Sequence, residues 1–178
     1  MNPSKVSQRK TRRVAHYIIS HTQPWQLGAT KLCKVMWYAD VLHYRRHGHS
    51  VSGQKSYVRM DNGPVPNDIY QALESLMKSK KIVERRTPTP VGDRKEFLHL
   101  ERAEASWFSP EEVETLHESI DAIVPLSAKE ASERTHGPIW EELANGEQMP
   151  IRAAAVIPSD VLPEDLAFAL EHKAAFTE

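Results

Sequence analysis

Between Thr30, which can cap a helix N-terminus, and Gly48, a C-terminal stop, stand Leu32, Cys33, Val35, Met36, Trp37, Tyr38, Ala39, Val41 and Leu42. Those side chains cover most of a helix circumference. The element must therefore run through a core rather than over it, with other elements packed around it. Asp40 stands inside the same run, and a buried carboxylate needs hydrogen-bond or charge partners from the surrounding chain. A chain of 178 residues, 40% of them hydrophobic, can build such a core as one domain with a small appendage.

The neighbours that must surround this helix are legible as further periodic segments. Gln8 to about Thr22 places Val14, Ala15, Ile18 and Ile19 on one helical face, and Pro24 ends it. Lys55–Met60 reads as a short strand between turn signals. A helix from about Pro66 carries the stripe Ile69, Ala72, Leu73, Leu76 and Met77. Ile82–Thr87 and Arg94–Glu101 read as a β-hairpin around a long Pro88–Asp93 loop. Ser109-Pro110-Glu111-Glu112 and Ser127-Ala128-Lys129-Glu130 are capping-box helix starts, and Gly137-Pro138 opens another turn of helix through Leu143. Residues 144–150 read as loop, 151–157 carry no assignment, and Pro163–Phe176 reads as an Ala-rich helix. The expectation is an α+β fold, mainly helical, with a winged-helix-like hairpin in the middle. Residues 1–160 form the domain, and 161–178 a C-terminal helix with no assigned role.

Several functions are excluded on the residues. No apolar run reaches the roughly 18–20 residues that cross a bilayer. The start, Met1-Asn2-Pro3-Ser4-Lys5, lacks a secretory apolar stretch, so a soluble, cytoplasmic protein without membrane contact is expected. Cys33 is the lone cysteine, which rules out an internal disulfide or a multi-cysteine zinc site; within the apolar helix it reads as a core residue, not a nucleophile. His43, His47 and His49 lack a metal-binding motif and read as a solvated helix end. No phosphate loop or nucleophile elbow is present, and Glu111-Glu112 and Glu141-Glu142 suit helix starts rather than acid–base work. Neither enzyme activity nor a metal or other cofactor is expected.

Charge is distributed unevenly. Residues 1–100 hold 18 basic and 7 acidic side chains, and residues 101–178 hold 5 basic and 17 acidic, for a net charge of −1. Such a split points to an electrostatic partner. The basic clusters supply one alternative, a DNA-binding and autoregulatory protein that contacts phosphates through Arg12, Arg13, Lys80, Lys81, Arg85 and Arg86.

An ordered set of motifs supplies the main reading. Lys31-Leu32-Cys33-Lys34-Val35-Met36-Trp37-Tyr38-Ala39-Asp40 is followed by Gly53 and Tyr57, then by Gly63-Pro64-Val65-Pro66 and Ile69-Tyr70. Phe108-Ser109-Pro110-Glu111-Glu112 and Thr135-His136 with Trp140 come later. The set resembles the Panacea domain, the SocA-like antitoxin or phage-associated GepA-like family, over about residues 8–157. Val35-Met36 stand where leucines are common in the family, and Trp37 replaces the aromatic or aliphatic residue more usual there; these swaps keep apolar volume. The resemblance implies an antitoxin of a bacterial or phage toxin–antitoxin pair that binds a cognate toxin, encoded by an adjacent gene, and no enzyme activity. It leaves open a homo-oligomer and a proteolytic adaptor role.

Residue roles follow as expectations. Lys31, Lys34, Tyr38, Asp40, Gly53, Gly63, Pro64, Val65 and Pro66 are read as structural, with Asp40 accepting from the Gly63-Pro64 turn or pairing with a lysine. Tyr57, Arg59, Tyr70, His136, Trp140, Glu141 and Glu142 are read as partner-binding. If the toxin is basic, the acidic 101–178 half is its natural docking face.

Overall fold

The computed structural model of the chain describes residues 3–89 and 92–156, with side chains described from Gln8 onward. The expected helix at Pro163–Phe176 and the 1–160 domain boundary lie outside the described residues. The fold is α+β and mainly helical. No helix among the described residues is long and apolar enough to cross a membrane.

The apolar helix is central, as its circumference requires. α1 (Pro3–Ser20) and α2 (Pro24–His47) are joined by a short turn, and α2 packs against α1, the later helices Pro110–Ile123, Ala128–Thr135 and Ile151–Ala154, and the hairpin strand Gly92–His99. The chain enters α2 six residues before Thr30. Gln23 is extended at the cap and Pro24 occupies the first turn, where its fixed φ suits a helix start. Gly28, at φ 65°, interrupts this entry before the long apolar run, so Thr30 lies inside the helix and does not cap it. Gly48 closes α2 in the left-handed region at φ 73°, donating its N–H to the Tyr44 carbonyl.

A three-stranded antiparallel sheet, ordered β2-β1-β5, sits beside α2: β1 (Ser56–Val58), β2 (Val65–Pro66) and β5 (Gln148–Pro150). β2 takes up Pro66, so α3 starts at Ile69 rather than near Pro66. Proline is tolerated there because β2 is an edge strand. The segment read as loop, 144–150, ends in β5, whose register sets Tyr57 opposite Met149. The unassigned stretch that follows forms α7 (Ile151–Ala154).

α3 (Ile69–Lys78) leads into the hairpin β3 (Ile82–Thr89) and β4 (Gly92–His99), the expected helix-then-hairpin outline. Pairing continues to Thr89 opposite Gly92, so the strands consume most of the predicted loop. Phe97 faces the core while Leu100 is exposed. Glu96 is fully buried on β4 and accepts from Arg85 Nε and Nη2 at 3.0 and 2.6 Å and from Arg94 Nε at 3.0 Å. Arg85 is the main cause that holds its carboxyl down at about 2. Stability from this pairing is present above the ordinary carboxylate range and is lost as pH falls through about 2. Glu96→Ala is expected to lower the melting temperature and to speed hydrogen exchange selectively in β3 and β4.

α4 (Pro110–Ile123) and α5 (Ala128–Thr135) begin with complete capping boxes at Ser109/Glu112 and Ser127/Glu130. α6 (Pro138–Glu142) is the short turn after Gly137.

Candidate functional site

The motif helix carries two buried charged side chains, Asp40 and Lys34, each with its own surroundings. Asp40 is fully buried. Its Oδ1 accepts the Ser52 backbone N–H at 2.8 Å; its Oδ2 accepts the Ser52 hydroxyl and, at 2.8 Å, the Tyr57 hydroxyl. Neither the Gly63-Pro64 turn nor a lysine serves it, contrary to expectation. The loop that follows α2 folds back and presents Ser52 to the helix instead. Burial raises the Asp40 carboxyl to about 6, against the pull of those donors. Tyr57 is itself fully buried, edge-on to Trp37 with ring centroids 4.9 Å apart. Its expected role in partner contact therefore gives way to a structural one, because β1 turns its ring inward.

Lys34 is the second buried charge, 1% exposed. Its ammonium has one hydrogen bond among the described residues, a long 3.4 Å contact to the Pro64 carbonyl, and burial lowers it to about 8. Gly63 makes room for it. A Cβ there would stand 2.6 Å from Lys34 Nζ and 3.1 Å from His136 Nε2, and the backbone at φ +97° disfavours any side chain. His136 Nε2 has no hydrogen-bond partner among the described residues, and burial lowers the ring below the ordinary histidine value. The Gly-Pro-Val-Pro turn is thus moulded over the Lys34 head group.

Above this turn, the imidazole of His136 stacks on Trp140 with centroids 3.6 Å apart and planes 3° from parallel. The Arg59 guanidinium lies over the Trp140 ring at 4.1 Å. Trp140 Nε1 donates to the Met60 carbonyl at 3.1 Å, which ties α6 to the Met60–Gly63 turn. Met60 also lines a groove of about 250 Å³ between that turn and α3, together with Tyr70, Asn62, Cys33 and Lys34. Tyr70 is 72% exposed and Met60 40%. Met60 therefore joins the Arg59–Trp140–His136 stack, through its carbonyl, to the groove beside Tyr70. Glu141 and Glu142 are exposed on α6, and Glu142 lines a separate groove between α2 and α6. Met60 escaped the sequence reading because an isolated methionine carries no local signal.

The other structural residues have definite tasks. Lys31 Nζ donates to the Val124 and Leu126 carbonyls, each at 2.9 Å, closing the C-terminal end of α4. Tyr38 lines a groove of about 450 Å³ between α2 and α6. Gly53 turns the Ser52 loop at φ 75°, while Val65 and Pro66 form β2. Cys33 is buried in the core, and burial raises its thiol to about 11, which fits a packing role.

The residues of the DNA-binding alternative are mostly engaged within the fold. Arg85 is held by Glu96, Arg86 pairs with Glu84 at 3.4 Å and Lys81 with Glu101 at 3.2 Å. Arg12 donates to Ser75 Oγ, and Arg13 lies over the Trp107 ring at 4.8 Å. Lys80 is exposed and pairs with no described carboxylate. Part of the charge split is likewise internal, through Lys10–Glu112 and Arg46–Glu118. Glu141, Glu142 and Glu114 form no ion pair with another described residue. The solvated histidine end needs correction in one respect: His47 and His49 are exposed, but His43 is buried and bonded to Thr115.

Residues 32–141 match the family model of the antitoxin SocA-like, Panacea domain. No curated protein and no solved structure matches the chain. The matched span takes in the motif helix, the Asp40 and Lys34 networks, the Gly63-Pro64 turn and the His136–Trp140 stack. The chain belongs to the SocA-like antitoxin family, the Panacea domain.

Proposed function

We propose that this protein neutralises a cognate toxin by direct association, and that the toxin docks on the Met60-centred surface. The observation that carries the reading is the exposure of Tyr70 and Met60 beside the Arg59–Trp140–His136 stack. Large apolar groups left open to solvent next to an anchored aromatic–arginine cluster are the composition of an interface centre. Exposed Glu141 and Glu142 on the neighbouring α6 favour a basic partner, and their main effect is on encounter rate rather than affinity.

The test is copurification of this chain with the product of the adjacent gene, followed by affinity measurement on variants. Tyr70→Ala removes an exposed ring and leaves the core intact. It is expected to weaken the complex by at least about 2 kcal/mol, roughly 30-fold, with an unchanged melting temperature. Reversing Arg85 and Arg86 to Glu should leave affinity nearly unaltered. Absence of a complex at low salt counts against toxin binding as a whole. A complex indifferent to Tyr70→Ala but sensitive to the Arg85 and Arg86 changes moves the docking site to the hairpin.

A further inference from the structure

Away from that surface, three segments bring metal-ligating atoms to one point. His43 lies near the end of α2, His49 in the turn after it, and Glu112 in the first turn of α4. One ligand atom of each lies within 4.8 Å of the others. His43 and Glu112 are buried, and His49 is exposed at the mouth.

The hydrogen bonds around the cluster fix which ring nitrogens are free. His43 Nδ1 is 3.0 Å from Thr115 Oγ1, and the Thr115 hydroxyl proton is already given to the Glu111 carbonyl at 2.8 Å. Thr115 can then only accept, so His43 Nδ1 carries the proton and Nε2 keeps its lone pair. His49 Nδ1 is 3.0 Å from the His47 carbonyl, an obligate acceptor, so His49 Nε2 also keeps its lone pair. An imidazole that donates its second N–H to a fixed oxygen is the arrangement that orients metal-binding histidines.

Glu112 supplies the charge. Its Oε2 accepts the Ser109 N–H at 3.0 Å, and its Oε1 holds the Lys10 ammonium at 2.9 Å. The half-buried Lys10 is the cation now balancing this carboxylate. The exposed His47 ring packs 4.4 Å from that of His43, beside the three converging groups.

We infer that His43, His49 and Glu112 form a site for a divalent late transition-metal ion of the zinc class. The ion would take Lys10's place on Glu112, and water would complete its shell. Imidazole with one carboxylate suits zinc, nickel or copper, whereas magnesium and calcium require mostly oxygen ligands. Ligand atoms on a tetrahedral zinc stand about 3.4 Å apart, so the cluster must close by roughly an ångström, a motion the exposed His49 turn can supply. The bound ion would fasten the acidic helix α4 to the end of α2, independently of the toxin surface.

Zinc chloride titrated into the untagged full chain tests the site, with calorimetry and thermal unfolding as readouts. The wild type is expected to bind one ion and to unfold at higher temperature when loaded, with magnesium producing neither effect. His49→Ala removes an exposed ligand and should abolish tight binding. Thr115→Val frees the His43 tautomer without removing a ligand and should weaken binding by about 10–100-fold. Lys10→Gln removes the competing cation and should strengthen it. Cobalt added in place of zinc should give visible absorption bands in the wild type that His49→Ala loses. No zinc binding by the wild type, or binding equal in the wild type, His49→Ala and Thr115→Val, overturns the site.

Discussion

Asp40→Leu is expected to cost about 3–5 kcal/mol of folding stability, because it leaves buried donors on Ser52 and Tyr57 with nothing to accept from them. Asp40→Asn keeps an acceptor and the shape, and its effect should depend on pH. Burial raises the folded-state carboxyl to about 6 from its ordinary 3.8. The folded protein therefore holds this proton more tightly than the unfolded chain does. The contribution to stability is fully present below 3.8 and is lost as pH rises through about 6. The loss is about 3 kcal/mol, at 1.4 kcal/mol for each pH unit between the two values. Asparagine cannot titrate, so the stability of the wild type minus that of Asp40→Asn should fall by that amount between about pH 4 and pH 7. Denaturant unfolding across this range measures it. A difference that stays level would mean that the carboxyl titrates normally in the folded state.

The features that were legible beforehand are those whose chemistry is local. Both capping boxes, the Gly48 stop and the apolar stripe of α3 are set by residues within a few positions of one another, and all of them formed. Errors arose where a distant segment decides the outcome. Pro66 reads as a helix start, but pairing with Tyr57 draws it into β2. Residues 148–150 look like loop until β1 is present to pair with them. Asp40 plainly needed partners, but nothing in the spacing shows that Ser52 and Tyr57 would arrive from a loop and a strand. Tyr57 looked like an interface aromatic for the same reason: its burial depends on β5 and α2 closing over it. His43 is the converse case, a histidine among exposed neighbours that packs against α4 and meets Glu112. Family resemblance located the motif residues without saying which face inward, and Lys34 is the clearest example.

Lys34→Met is expected to make the protein more stable at pH 7, by about 3 kcal/mol. The ammonium is 1% exposed and makes one long hydrogen bond to the Pro64 carbonyl, so little offsets its loss of water. Burial lowers it from 10.5 to about 8, and the folded protein binds this proton less tightly than the unfolded chain. The cost is present below about 8 and disappears as pH rises to 10.5, so wild-type stability should climb across that interval while Lys34→Met shows no such rise. Asp40 works in the opposite sense at lower pH. Between about 6 and 8 both groups are charged in the folded state without pairing with each other, which puts the motif helix at its least favourable charge state near neutrality. Methionine fits the space beside Gly63 and removes the charge, and replacing an unpaired buried charge by an apolar group of similar volume is stabilising. Thermal unfolding at pH 7 and pH 10 separates the outcomes: a gain at pH 7 that shrinks at pH 10 is the expected result. A destabilised Lys34→Met at both pH values would mean that the ammonium holds the Gly63-Pro64 turn in place strongly enough to repay its own burial. Toxin affinity of the same variant adds a second readout. If the stabilised variant binds its partner more weakly, the buried charge is kept for the surface it shapes above Gly63 rather than for the fold.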